Sequence, residues 1–274
     1  MKRRNSRQAV LRVGLLVVGL VVIAVPFAWV LLTAFKRQVD ASAVPPMIFS
    51  PTTLKNFETI FSGPFAGSLV SSVIITVMTT VGTLAFGVPA GYAFARGRFR
   101  GRHFLGGWLL FSRMVPPVLF IIPLFLFFHQ LDLIDNYIGL TLAYLTGLLP
   151  FTIWMTASYF QDVPMELEDA AKVDGATRLQ AFLRVVLPLS LPGVLTVGFL
   201  IGIAAWSEYF TPLLLAGPDT TPATVALVNY IGVDSINWGA MAAAALTLII
   251  PVFLITLIAQ RGLLRGISAG AVKG

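Results

Sequence analysis

Long uncharged stretches alternate with short polar ones along the whole chain. The first, Val13 to Phe35, holds 23 residues without a charge. A helix of that length crosses the roughly 30 Å of a bilayer's hydrocarbon. Further apolar stretches cover about 67–95, 104–128, 137–160, 189–216 and 238–260. The pattern predicts an all-α membrane protein with six transmembrane helices, forming one transmembrane domain over 1–274. A cleaved signal peptide is the competing reading of the first stretch. Its apolar core would be about 7–15 residues and would end at a small-residue cleavage site, so the span is the preferred reading. Gly82, Gly87 and Gly91 in the second stretch let helices approach closely in lipid. A polar loop with several prolines, 36–66, separates the first two spans, and a tail with three basic residues, 261–274, follows the last.

One stretch breaks the apolar rhythm. Glu166 to Pro188 reads as two short amphipathic helices between the fourth and fifth spans. Pro164 suits a first helical turn, where its missing N–H costs nothing, and acidic residues there favour the positive helix end. Gly175 suits a left-handed C-terminal cap. Thr177 and Gln180 have capping-box spacing, so a second helix starts there. Leu179, Phe182, Leu183 and Val186 form one apolar stripe at i, i+3, i+4 and i+7, and Pro188 ends or kinks the helix. Two helices meeting at a Gly-Ala-Thr corner make a knob shaped for docking.

Composition supports the membrane reading. Mean hydropathy is +0.87 and only 11% of residues are charged. The net charge of +7 is a topology signal rather than a nucleic-acid footprint. Fifteen of the 19 Lys and Arg lie in the N-terminus, the 96–103 loop, the 161–188 loop or the tail; the opposite loops hold Lys36, Arg37 and Lys55, and Arg113 lies inside a span. By the positive-inside rule both termini and the knob are cytoplasmic. Arg96, Arg98, Arg100 and Arg102 admit a phosphate site, but a retention signal is the ordinary reading. With no cysteine there is neither a disulfide framework nor a thiolate metal site.

Catalytic signatures are absent: no H-E-x-x-H, no P-loop and no G-x-S-x-G. ATP hydrolysis, if it drives this protein, belongs to another subunit. The chemistry that remains is intramembrane charge, a functional-site hypothesis by default. Arg113 lies about 13 Å into the third span and Glu208 about 28 Å into the fifth, at about 1.5 Å per residue. The depths do not match, which disfavours a direct salt bridge. Glu208 beside Trp206, Tyr209 and Phe210 reads as lining a solute path. Arg113 reads as bracing the helix broken at Pro116-Pro117 or contacting a partner through carbonyls. Snorkelling interfacial charges and ordinary helix packing are the plainer alternatives.

The knob also carries a resemblance. Asp169-Ala170-Ala171, three residues, Gly175, nine residues, then Val185-Val186-Leu187-Pro188 is similar to the "EAA" loop of permease subunits of binding-protein-dependent ABC importers. That pattern is Glu-Ala-Ala, three residues, Gly, nine residues, Ile-x-Leu-Pro; here Asp replaces Glu and Val replaces Ile, and Glu168 is a neighbouring acid. The flanks V-P-M-E-L and L-P-L-S-L-P and the final G-A-V-K-G resemble the maltose-type carbohydrate branch. The resemblance implies a type I importer permease fold with a coupling helix between spans 4 and 5. Glu168, Asp169, Ala170, Ala171, Asp174, Gly175, Ala176 and Pro188 would serve ATPase coupling. The implied partners are a second homologous permease subunit, two ATPase subunits that bind ATP and Mg, and an extracytoplasmic solute-binding protein, in a bacterial-type cytoplasmic (inner) membrane. No cofactor, metal site or nucleic-acid partner is expected of this chain. The competing readings are a secondary transporter, a permease for a non-sugar solute, and an intramembrane enzyme. The first lacks visible internal repeats here, and the last lacks a nucleophile–base set.

Overall fold

The computed structural model describes residues 2–116, 118–232 and 235–271, with side chains placed for 12–116, 119–232 and 235–257. The side chains of Lys2, Arg3, Arg4 and Arg7, the residues Pro117 and Asp234, and the tail's basic side chains lie outside the described residues. In chain order the helices are α1 (Lys2–Ala34), α2 (Gln38–Ala41), α3 (Lys55–Ser62), α4 (Phe65–Arg96), α5 (Arg102–Met114), α6 (Val118–Gln130) and α7 (Tyr137–Gln161). Then come α8 (Met165–Val173), α9 (Arg178–Ala181), a π-helical turn (Phe182–Val186), α10 (Leu187–Trp206), α11 (Phe210–Leu215), α12 (Ala223–Ala226), a 3₁₀ turn (Leu227–Tyr230) and α13 (Trp238–Ala271).

Five helices are long and apolar enough to cross a membrane, over 12–34, 65–96, 137–161, 178–206 and 238–257. A sixth span exists if α5 and α6, bent by 102° at their break, count as one. The span expected over 104–128, with its break at Pro116-Pro117, is accordingly two helices, α5 and α6. Val115 is extended, with ψ 126°, the conformation that a following proline imposes on its predecessor. The span expected over 189–216 also divides. α10 ends at Trp206 and α11 begins at Phe210, so Glu208 sits in the break and not inside a helix. Pro212 explains this, because it has no N–H to offer the Glu208 carbonyl four residues back. Thr224 Oγ1 donates to that carbonyl instead, at 2.8 Å. The loop expected over 36–66 carries α2 and α3, and the last helix runs past Gln260 to Ala271.

The chain divides into two compact units, residues 1–66 with 226–251 and residues 67–225 with 252–274. In the first unit, buried Asn56 closes the end of α1. Its Nδ2 donates to the carbonyls of Ala34 at 2.8 Å and Lys36 at 2.7 Å. The Lys36 ammonium donates to the Met47 carbonyl at 2.6 Å and lies 4.4 Å from the Trp29 ring centre. None of the most apolar window of α1 is buried, as suits side chains that lipid solvates as well as protein would.

The second unit is built around α4, α7 and α10. A Cβ added at Gly87 or Gly91 would overlap Thr152 or Thr156 of α7, and one at Gly198 would crowd Leu84 of α4. Small residues thus set the helix spacing, as the sequence pattern predicts. Two apolar clusters result. Ile75, Phe128, Leu140, Tyr144, Ala205 and Leu215 form one. Val88, Phe160, Val163, Phe182, Val186 and Val194 form the other, which underlies the knob.

Candidate functional site

The knob forms from local signals. Pro164 is the N-cap of α8, and Glu166 and Glu168 lie in its first turn, where carboxylates complement the helix dipole. Gly175 closes the helix at φ +89°. The Ala176 N–H donates to the Ala171 carbonyl and the Gly175 N–H to the Lys172 carbonyl, each at 3.0 Å. This pair of bonds is a Schellman cap. The next helix opens with the capping box: Gln180 N–H to Thr177 Oγ1 at 3.3 Å, and Thr177 N–H to Gln180 Oε1 at 2.8 Å. Pro188 does not end this helix. The turn before it widens into a π-helical one, in which the Leu187 N–H reaches the Phe182 carbonyl. The shifted register accommodates a proline that cannot bond to the Arg184 carbonyl.

The expected apolar stripe is corrected by the same geometry. Phe182 and Val186 are buried, whereas Leu179 and Leu183 are 64% and 50% exposed. The two outward leucines are i, i+4 neighbours and form a face of their own. Val173 on α8 is 87% exposed. Of the predicted coupling residues, Asp169, Ala170, Asp174, Gly175 and Pro188 are exposed, and Ala171 and Ala176 are partly so. Glu168 departs from them at 2% exposure.

Glu168 points inward to α4. Its Oε1 accepts from Tyr92 Oη at 2.7 Å and lies 3.0 Å from the Lys172 ammonium. Its Oε2 pairs with Arg96 Nε at 3.1 Å, as an ion pair without hydrogen-bond alignment. Arg96 also donates to the Val163 carbonyl at 2.6 Å. The Tyr92 ring lies 4.4 Å from Phe182 and 6.0 Å from Phe160. Burial pushes the Glu168 carboxyl up, but the hydrogen bonds from Tyr92 and Lys172 and the charges of Lys172 and Arg96 outweigh it and hold the group below its ordinary value. The Lys172 ammonium is held above its ordinary value by hydrogen bonds to Glu168 and Asp169. Sequence reading did not find Tyr92 as a partner and read Arg96 only as part of a basic loop.

The second candidate site is a cavity of about 420 Å³ where the broken helices converge. The end of α5, α6, α7, the end of α10 and the Glu208 break line it. Arg113 and Glu208 both face it, with Tyr144, Ser112, Thr146 and Thr211 as further polar groups. Arg113 Nη1 donates to the Gly147 carbonyl at 3.1 Å, and its guanidinium lies 5.3 Å from the Phe151 ring centre. The expected brace at Pro116-Pro117 is therefore a brace onto α7. Among the described residues no ion pair joins Arg113 to Glu208. Glu208 Oε1 accepts from the Thr211 N–H at 2.9 Å. Trp206, Tyr209 and Phe210 are not lining residues; the rings of the last two stack edge-on at 5.5 Å. Tyr144, missed in the sequence, is 5% exposed and forms part of the wall.

Residues 87–268 match the family described as binding-protein-dependent transport system inner membrane component. Among curated proteins, the chain is 36% identical over 279 residues to the trehalose transport system permease protein SugB of Mycobacterium tuberculosis, covering 99% of each. It is 31% identical to the trehalose/maltose transport system permease protein MalG of Thermococcus litoralis, covering 98% of this chain and 99% of that one. It is 36% identical to the diacetylchitobiose uptake system permease protein DasC of Streptomyces coelicolor, over 91% of each. Among solved structures, it aligns with a bacterial ABC transporter involved in the import of the acidic polysaccharide alginate, at TM-score 0.79 and 24% identity over 92% of this chain and 95% of that one. The MetNI methionine ABC transporter aligns at TM-score 0.59 and 18% identity over 71% and 92%. At these identities the structures speak for the fold alone. The family match over most of the chain and near full-length relatives above 30% identity agree with the helical architecture: this protein belongs to the binding-protein-dependent transport system inner membrane components.

Proposed function

We propose that this chain is the permease subunit of an ATP-driven importer that moves a carbohydrate across a bacterial cytoplasmic membrane by alternating access. Both termini and the knob face the cytoplasm. A second permease of similar fold, two ATPase subunits carrying ATP and Mg, and an extracytoplasmic solute-binding protein complete the assembly. The observation that carries this reading is the knob itself. Its two helices are independently capped, its small residues Ala170, Ala171 and Gly175 lie outward, and Val173, Leu179 and Leu183 are exposed beside them. Such a patch on a water-facing element marks an interaction site. In this reading α8 is the coupling helix. Closure of the ATPase dimer pushes it, and the helix groups rock largely as rigid bodies.

The cavity is the candidate solute path. Its volume of about 420 Å³ lies in the range of small-ligand pockets, about 300–1,000 Å³. One guanidinium, one carboxylate and several hydroxyls on an apolar wall suit a neutral polyol, which needs both donors and acceptors. The likeness to trehalose, trehalose/maltose and diacetylchitobiose permeases favours a sugar on independent grounds. The methionine transporter's likeness shows that the fold alone does not fix the solute, so the assay includes a non-sugar arm. The test is reconstitution with the partner subunits in proteoliposomes. Uptake of labelled disaccharide that requires ATP, with none of a labelled amino acid, is the expected result. Uptake driven by an ion gradient without ATP would sink the reading in favour of a secondary transporter. In intact cells cysteines replacing Ser42 and Thr221 should label from outside, and one replacing Arg98 only after permeabilisation.

A further inference from the structure

The acidic pair at the start of the knob is divided. The side chain of Asp169 is 60% exposed and that of Glu168 is 3% exposed, although they are consecutive residues of one short surface helix. A carboxylate so buried needs donors, since an unpaired one costs several kcal/mol. Three converge on it: the Tyr92 hydroxyl, the Arg96 guanidinium and the Lys172 ammonium. Lys172 belongs to α8 itself, one turn on. Tyr92 and Arg96 belong to α4, also one turn apart, so the end of α4 turns two donors toward one carboxylate 76 residues away in sequence.

The surroundings make this junction stiff. Tyr92 is held between Phe160 and Phe182, whose own rings pack 5.7 Å apart. Phe160 closes α7 and Phe182 opens the π-helical turn, and both are buried. The second Arg96 bond ends on Val163, in the link from α7 to α8. The helices α7 and α10 are joined to the knob covalently, and α4 is not. Without Glu168 the Arg96 bond to the Val163 carbonyl would still tie α4 to the link ahead of α8, but α8 itself would lose its charged contacts with α4.

We propose that Glu168 is a positioning residue that tethers the docking helix α8 to α4 through Tyr92 and Arg96, so that displacement of the knob moves the second span together with the fourth and fifth. The tether rests on the proposed function above, in which α8 receives motion from an ATPase. It removes Glu168 from the outward docking face and leaves Asp169 as the acid available to a partner.

The experiment uses the reconstituted complex and reads solute taken up per ATP hydrolysed. Glu168→Gln retains the shape and an acceptor for Tyr92 but loses the charge, and Arg96→Met removes the other half. Each should lower the ratio by about fivefold or more, the lower end of typical coupling between sites. The absence of native cysteine allows a covalent replacement. Arg96→Cys with Glu168→Cys, alongside cysteine-free partners, should show the lowered ratio and regain coupled uptake once a short bis-maleimide joins the two thiols. Wild-type stoichiometry in both Glu168→Gln and Arg96→Met would overturn the tether while wild-type uptake leaves the importer reading intact. A fall in inserted protein with an unchanged ratio per remaining complex would overturn it too, by showing a stabilising role only. Absence of ATP-dependent uptake in the wild type would bring down the importer reading, and the tether with it.

Discussion

Two glutamates in the second unit meet opposite fates. Glu168 is nearly sealed, and hydroxyl, guanidinium and ammonium groups surround its two oxygens. Glu208 is half-buried in a helix break beside a cavity, and its one hydrogen bond as an acceptor side chain among the described residues comes from the Thr211 N–H. A buried carboxylate whose two oxygens face cations and a hydroxyl of the protein is part of the frame. A carboxylate with capacity left over, facing a cavity, is available to something that enters. In the function proposed above, the contrast separates the element that would carry motion from the element that would meet solute, and each prediction below acts on one side of it.

The largest effect on stability belongs to the buried carboxylate. Removing one partner of a buried pair costs about 3–5 kcal/mol, because the other charge is left uncompensated. Arg96→Met removes the more buried of the two cations at Glu168, its side chain being only 12% exposed, and leaves Lys172 and Tyr92 on the carboxylate, so the loss is smaller than that limit. A clear fall in the unfolding temperature of the purified protein is expected; an unchanged temperature would show that water already reaches the pair. The pH dependence follows from the directions of shift. Glu168 is depressed in the folded state, so its contribution is complete above the ordinary carboxylate value of about 4.3 and is lost as pH falls through the lowered one. Lys172 is raised, so its contribution is complete below about 10.4 and is lost as pH rises through the raised value. A plateau between those limits, with the acid limb missing in Glu168→Gln, is the expected thermal profile.

A middle-sized effect belongs to the knob's corner. Gly175 has φ +89° with open space around its Cα, so a side chain there meets strain and no clash. The left-handed conformation costs about 1–2 kcal/mol for an L-residue. Gly175→Val should therefore insert normally and unfold slightly earlier, while attachment of the ATPase subunits, read by co-purification, weakens. Ala171→Asp should weaken attachment in the same assay without the backbone strain. Full attachment in both variants would remove the knob from the docking role.

These two regions also differ in how far the sequence discloses them. The Gly175 cap and the Thr177–Gln180 box were legible because every partner lies within five residues, and local signals of that kind act before any tertiary contact forms. The i, i+4 pair of Glu168 and Lys172 was open to the same reasoning. Tyr92 and Arg96 were not, since nothing in a sequence sets the register between α4 and a loop 76 residues later. The helix spans were legible to within two residues for α4 and α7, where composition decides. The break between α5 and α6 was legible from the paired prolines Pro116-Pro117, but the one between α10 and α11 was misread, where Pro212 takes the helical partner from a single carbonyl and the chain breaks. Glu208 was found as a charge among apolar residues. Tyr144 was missed because a tyrosine in an apolar helix carries no mark of what its hydroxyl faces.

The smallest effect on stability, and the sharpest test of the comparison, is expected at Glu208. Glu208→Gln keeps a side-chain oxygen for the Thr211 N–H and leaves its backbone carbonyl with Thr224, so the helix break should survive. The unfolding temperature should stay within a degree or two, the size of a change of a few tenths of a kcal/mol. Transport should respond otherwise. A carboxylate accepts hydroxyl hydrogen bonds that are about twice as strong as those to a neutral amide, so a polyol loses affinity in the variant. The expected result is a raised half-saturation for sugar with ATPase attachment and inserted amount unchanged. Glu208→Cys should react with a membrane-impermeant thiol reagent in one nucleotide state and resist it in the other, as the cavity opens first to one side and then to the other. If the cysteine resists in every state, and Glu208→Gln transports like the wild type, then Glu208 is a helix cap with spare lone pairs. It then belongs with Glu168 in the frame, and the solute path has to be sought elsewhere in the second unit.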